Sequence, residues 1–199
     1  MFWTEVRYED RWKKAGAGRA GCFEMESIIT TERLTLRRLT QDDYADLCEM
    51  LQDADVMYAW EHIFSESQVQ EWLDRQLERY TETGIGFWAA IEQETGEMVG
   101  QIGLAWVDIE GERVLELEYM LKKAHWHKGF VTEGGKGCLN YAFNKMGVGK
   151  VYAPIRPENH ASRKAAENLG FKVCGEYVKH YNGKDMSHLI YVIEKRTLP

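Results

Sequence analysis

Two glutamates one residue apart, Glu116 and Glu118, sit in the apolar run Leu115–Leu121, LELEYML. Strand alternation sends both to one face and leaves the leucines on the other. A carboxylate in a partly buried cleft ionises late and can then take a proton through water. The basic, turn-rich stretch Lys122–Gly129 follows at once. From about Val131 the period turns helical, with Cys138, Leu139, Ala142 and Phe143 on one face. A strand, a basic loop and a glycine-lined helix start form a seat for an anion, because free N–H groups leave the helix N-terminus and the macrodipole adds positive charge there. Gly129, Gly134, Gly135 and Gly137 are expected to let a bulky phosphate ligand come close to the backbone. Neither GxxxxGK[ST] nor GxGxxG spacing occurs at this junction, so taken alone it describes a packing turn equally well. A third group is Asn159, Ser162 and Arg163. Their i, i+3, i+4 spacing places them on one face of a helix that Asn159 caps and Gly170 ends.

The chain that must position these groups has 199 residues, 44% hydrophobic and 29% charged, which fits one globular domain with a proper core. No apolar run approaches a membrane span. The four cysteines, Cys22, Cys48, Cys138 and Cys174, are scattered without a CxxC, as in free thiols of a reducing cytoplasm. The net charge of −7 suits a nucleic-acid backbone poorly and a cationic amine better. Residues 1–24 mix Trp3, Trp12 and Phe23 with charges and lack the apolar core of a signal peptide. They read as a peripheral extension, with the domain spanning 25–199 and Met25 a plausible natural start.

Within the domain, Ile28–Leu39 alternate as a first strand, and Thr40 caps a helix to about Asp53. The aromatic stretch Asp55–Ser65 is irregular, and Ser67 opens a second helix with Val69, Trp72, Leu73, Leu77 and Tyr80 at helical spacing. Phe87–Ile91, Met98–Val107 and Leu115–Leu121 form an antiparallel meander. Val148–Ile155 is reached through a helix and is expected parallel to Leu115–Leu121. Phe171–Tyr181 and Lys184–Glu194 close as a hairpin about Asn182-Gly183.

Four segments together resemble the GNAT superfamily of acyl-CoA N-acyltransferases, most closely its RimJ/RimL-like branch: TERLTLRRLTQDD (31–43), LELEYML (115–121), WHKGFVTEG (126–134) and PENHASRKAAENLGF (157–171). The resemblance implies an α+β, three-layer fold with a mixed, mostly antiparallel sheet of about seven strands flanked by helices. It implies transfer of an acetyl group from acetyl-CoA, as co-substrate, to a primary amine in a ternary complex. By the same resemblance the coenzyme lies against Tyr119, Met120, Leu121, Trp126, His127, Lys128, Gly129, Phe130, Val131, Thr132, Asn159, Ser162 and Arg163. A backbone N–H near Met120 polarises the thioester carbonyl. Glu116 matches the branch's frequent carboxylate and becomes the candidate base, whereas Glu118 stands where glycine is more usual. Ser162 maps to the serine assigned as acid. Tyr58, Trp60, His62, Phe64 and Glu118 become candidate acceptor contacts, the aromatics being equally suited to the core.

The sequence also departs from the family. The acid tyrosine of many members is Ala166 here, and the coenzyme loop reads Trp126-His127-Lys128-Gly129-Phe130-Val131, with Trp126, His127 and Val131 replacing a polar, a glycine and a small residue. These departures motivate an alternative, a catalytically weak acyl-CoA-binding or regulatory domain; a detoxifying acetyltransferase is a third reading. His125 and His127 have no third ligand at suitable sequence spacing, so no metal is expected. A cytoplasmic monomer or homodimer, with neither nucleic acid nor membrane as partner, completes the expectation.

Overall fold

A computed structural model describes residues 27–195; the N-terminal extension and the proposed start at Met25 lie outside them. The elements follow in the order β1 (Ser27–Thr30), β2 (Leu34–Arg37), α1 (Tyr44–Leu51), α2 (Glu66–Thr83), β3 (Phe87–Glu92), β4 (Met98–Ile109), β5 (Glu112–Leu121), α3 (Phe130–Asn140), β6 (Lys150–Ile155), α4 (His160–Leu169), β7 (Lys172–Tyr181) and β8 (Lys184–Glu194). They form an eight-stranded sheet in the order β1-β2-β3-β4-β5-β6-β8-β7, antiparallel except at β5–β6.

The expected seven strands become eight because Thr31–Arg33 fold into a tight turn. Thr31 N–H donates to Leu34 O at 2.8 Å, splitting the single expected first strand into β1 and β2. The first helix begins with a 3-10 turn over Gln41–Asp43 and is shorter than its pattern suggests. Thr40 N–H donates to Asp43 Oδ2 at 2.8 Å, and the Arg37 guanidinium takes the same carboxylate with both arms, at 2.7 and 2.8 Å. The second helix opens at Glu66, one residue earlier than expected. Ser65 and Gln68 make a reciprocal capping box, which outcompetes a cap at Ser67. The Asn182-Gly183 turn has φ of 50° and 74°, the left-handed pair that suits the twist of a hairpin.

Register assigns the two faces of the sheet. Trp72 Nε1–H of α2 donates to Gln101 Oε1 at 3.2 Å, so Gln101 of β4 points at α2. Gln101, Gly103 and Ala105 pair with Met120, Glu118 and Glu116 of β5, placing both glutamates on that face. Ile102, on the other face, meets α3. The central core therefore lies in two layers, and fully buried residues such as Leu34, Leu36, Trp88 and Ile102 sit within the sheet. No helix among the described residues is long and apolar enough to cross a membrane.

Candidate active site

The site begins where β5 and β6 part. Their register pair is Glu116 with Tyr152, and beyond it Leu117–Leu121 have no strand on that edge among the described residues. The cause lies in the sequence of β6. Pro154 pairs with Ile190 of β8, as Tyr152 does with Val192. A proline has no N–H to donate, so it is compatible only with a pair whose hydrogen-bonding groups turn away from β8. The missing donor thus falls on the edge that would otherwise continue pairing with β5, and the strands open into a wedge.

Glu116 and Glu118 line the α2 side of that wedge, Glu118 one step nearer its open end. Glu118 Oε1 is buried with no hydrogen-bond partner among the described residues. Loss of water pushes Glu116 up to about 8, with the charge of Glu118 adding to the rise, and pushes Glu118 up to about 7. The charges of Lys179 and Arg79 pull against both shifts without cancelling them. Tyr177 and Lys179, paired in β7 with His188 and Met186, belong to the same face.

The wall facing the carboxylates is aromatic. Trp60 meets Tyr181 edge-on at 5.5 Å and Trp72 at 6.2 Å, and His62 lies 5.6 Å from Tyr181. Arg156, at the end of β6, staples this loop in place by donating to Ala59 O at 2.9 Å and pairing with Glu61 at 2.8 Å. Lys184 pairs with the other Glu61 oxygen at 2.7 Å. Trp60 and His62 are half-buried and available to a ligand, whereas Phe64 is 7% exposed and serves the core. Tyr58 is 47% exposed and reaches across the mouth of the wedge, where its hydroxyl donates to Asn159 Oδ1 at 2.8 Å.

Asn159 caps α4 as its residue type implies, accepting from Ser162 N–H at 3.0 Å. The two main-chain groups of Ser162 are both engaged, because its carbonyl accepts from Tyr119 O–H at 2.8 Å. Arg163 is turned inward. It donates to Pro157 O at 2.9 Å and to Tyr191 Oη at 3.2 Å, so its guanidinium is already committed to holding α4 on the sheet.

The loop after β5 runs along the rim. Trp126, where a polar residue was the family pattern, sends its indole N–H to Leu121 O at 3.0 Å and seals the end of β5. His127 and Gly129 take left-handed φ of 61° and 83°. Their turn presents the amides of Lys128–Thr132 at the start of α3, the dipole-positive end of an 11-residue helix. Gly129 turns at φ 83° with only Arg33 Nη2, at 3.4 Å, near where a Cβ would stand. Gly134, Gly135 and Gly137 face protein instead: a Cβ on Gly134 would stand 2.6 Å from Ile102 Cδ1, on Gly135 2.7 Å from Leu169 Cδ1, and on Gly137 2.9 Å from Ile29 Cγ2. Those three glycines let α3 settle onto the sheet and α4, a packing demand indistinguishable in sequence from a ligand's.

A brace for this loop escaped the sequence reading. Arg33 donates from Nη1 to Lys128 O at 2.9 Å, pairs with Glu133 at 2.7 Å, and lies 4.7 Å over the Phe130 ring. Thr31 Oγ1–H also reaches Glu133, at 2.6 Å. Beside them an open groove of about 700 Å³ is lined by Gly129, Thr132 and Lys136 among others. Arginine at the start of a strand carries no signal for a partner 100 residues away.

Comparison with known proteins agrees with this geometry. Residues 33–172 match the acetyltransferase (GNAT) domain family. YkkB of Bacillus subtilis (strain 168) is 35% identical over 143 residues, covering 71% of this chain and 83% of the relative. The N-acetyltransferase p20 of Bacillus licheniformis is 31% identical over 153 residues, 76% of this chain and 85% of the relative. Among solved structures, Mycobacterium smegmatis RimJ in complex with CoA-disulfide superposes with a TM-score of 0.67 at 22% identity, over 81% of each chain.

Proposed function

This chain belongs to the GNAT acetyltransferase family and is an acyltransferase; we propose that it moves the acetyl group of acetyl-CoA to a primary amine, on a protein N-terminus or a small molecule, by direct attack within the β5–β6 wedge. The observation that carries the reading is the juxtaposition at one point of the sheet: an unpaired strand edge at Leu117–Leu121, a carboxylate pair with raised pKa on the same strand, and an amide-rich helix start directly downstream.

In this reading the diphosphate of the coenzyme rests on the amides of Lys128–Thr132, with charge from Lys128 and Lys136. Its pantetheine arm then runs along the open edge of β5, past Asn159, and a free N–H near Met120 faces the thioester oxygen. Glu116, helped by Glu118, accepts a proton from the incoming ammonium, directly or through water. The neutral amine attacks the carbonyl carbon, the C–N bond forms, and the C–S bond breaks as the tetrahedral oxyanion collapses. The nitrogen gives up its remaining excess proton as the adduct collapses, and that proton passes to the departing thiolate, which Ser162 hydrogen-bonds as it leaves as the thiol. Trp60, His62 and Tyr58 contact the acceptor. The quoted motifs and the RimJ likeness favour the RimJ/RimL-like branch, and scattered free thiols suit a cytoplasmic setting.

A thiol-release assay with acetyl-CoA across an amine panel, with mass spectrometry of the acceptor, tests the reading. The expected result is acceptor-dependent thiol release matched by gain of one acetyl group. Saturable coenzyme binding with no transfer at neutral or alkaline pH would instead make the chain a binding module. The brace on the loop has its own consequence. Arg33→Ala should raise the KM for acetyl-CoA about tenfold while leaving kcat nearly unchanged, since it removes binding common to ground and transition states. An unchanged KM would show that the loop holds its shape without Arg33.

A further inference from the structure

At the end of the sheet where β5 leaves the wedge, the β3–β4 turn and the segment after β5 bring together three side chains that no part of the proposed reaction uses. Glu92, Glu97 and His125 have donor atoms all within 4.8 Å of one another. We propose that they form a binding site for a divalent first-row transition metal of the Zn²⁺ type, tying the β3–β4 turn to the coenzyme loop.

Three observations point to an ion rather than an ordinary ion pair. First, the imidazole of His125 is 5% exposed, yet neither ring nitrogen has a hydrogen-bond partner at ordinary length among the described residues. Nε2 stands 3.4 Å from Glu97 Oε1 and Nδ1 stands 3.5 Å from Lys128 Nζ, where an N–H···O bond is about 2.7–3.2 Å. A side chain this buried is held in one orientation, and that orientation aims Nε2 at the Glu97 carboxylate across a gap an ion would fill. Second, His125 Nε2 and Glu97 Oε1, 3.4 Å apart, have the separation of two donors each about 2.1 Å from a tetrahedral ion, and a Glu92 oxygen lies within 4.8 Å of both, a short side-chain rotation from the same centre. Third, the turn fixes the second carboxylate. Thr95 Oγ1–H donates to Glu92 Oε2 at 3.0 Å, and Gly96 N–H donates to Glu92 O at 2.8 Å, holding Glu92 beside Glu97. One imidazole and two carboxylates form a set that a Zn²⁺-like ion prefers to Ca²⁺ or Mg²⁺, with water completing the coordination. Sequence spacing hid the set, because 28 positions separate Glu97 from His125 and the sheet register closes the gap through Lys122 N–H to Val99 O at 2.9 Å.

The test uses full-length, tag-free protein stripped with chelator. Calorimetric titration with Zn²⁺ should give one saturable site, Co²⁺ should give an intense tetrahedral visible spectrum, and melting temperature should rise with Zn²⁺ concentration. His125→Ala and Glu97→Gln should each lose all three signals, and His180→Ala, at an exposed His–Asp pair elsewhere, should keep them. Glu97 sits on an exposed turn, so Glu97→Gln decides the matter if His125→Ala fails to fold. Absence of saturable binding, wild-type binding by Glu97→Gln, or loss of binding in His180→Ala would overturn the proposal. None of these readouts depends on acetyl transfer.

Discussion

Converting either wedge carboxylate to its amide, Glu118→Gln or Glu116→Gln, should lower kcat/KM for the amine about 100-fold and flatten the pH profile, the scale of a lost general base. The sign follows from the environment. Burial raises the pair, Glu118 to about 7 and Glu116 to about 8. A base works only when ionised, so the wild-type rate should climb across that window. The acceptor's own deprotonation gives a second, more alkaline limb that both variants keep. A profile identical to wild type in both variants would remove the pair from the mechanism. The same shifts make a stability statement. Folded pKa values above the unfolded ones mean that the folded chain holds extra protons between the two. The stabilising contribution is therefore complete below the ordinary carboxylate pKa and is lost as pH rises through about 7–8. Glu118→Gln mimics the protonated side chain, so it should lose less melting temperature than wild type between about pH 5 and pH 9. Each kcal/mol spared appears as roughly 2–4 °C.

The second large effect is expected at Ser162. Ser162→Ala should cut kcat about 10–100-fold, the magnitude of one hydrogen bond to a charged group, while the KM for acetyl-CoA moves less than about threefold. This variant separates chemistry from folding because the structural duties of Ser162 are main-chain: its N–H caps through Asn159 and its carbonyl receives Tyr119 O–H. Alanine keeps both bonds and favours the helix. An unchanged turnover number, or a KM rise that matches the loss in kcat, would leave Ser162 with a binding role only.

Much of this arrangement could be read from local pattern. The meander, the α4 cap at Asn159, its end at Gly170 and the Asn182-Gly183 hairpin each depend on residues within a few positions of one another, and the structure reproduces them. Strand alternation was likewise enough to put Glu116 and Glu118 on one face. The failures were of range. Thr31–Arg33 are three polar residues with no glycine, proline or asparagine to mark a turn, and the bond from Thr31 N–H to Leu34 O makes them a bend. The α3 glycines matched a ligand's needs until Ile102, Leu169 and Ile29 proved to be their neighbours. Arg33 and Glu133 are 100 residues apart and met only through the sheet. One signal was present and missed: a proline inside a strand, Pro154, marks an edge without a donor, and hence the place where the wedge opens.

Amide hydrogen exchange with and without acetyl-CoA tests the central claim, that the open edge of β5 and the start of α3 are one seat. Saturating coenzyme should slow exchange at Tyr119–Leu121 and at Lys128–Thr132 together, leaving the β4–β5 turn at Glu110-Gly111, at the other end of β5, unaltered. Exchange that stays the same at both segments while the coenzyme binds elsewhere would contradict it.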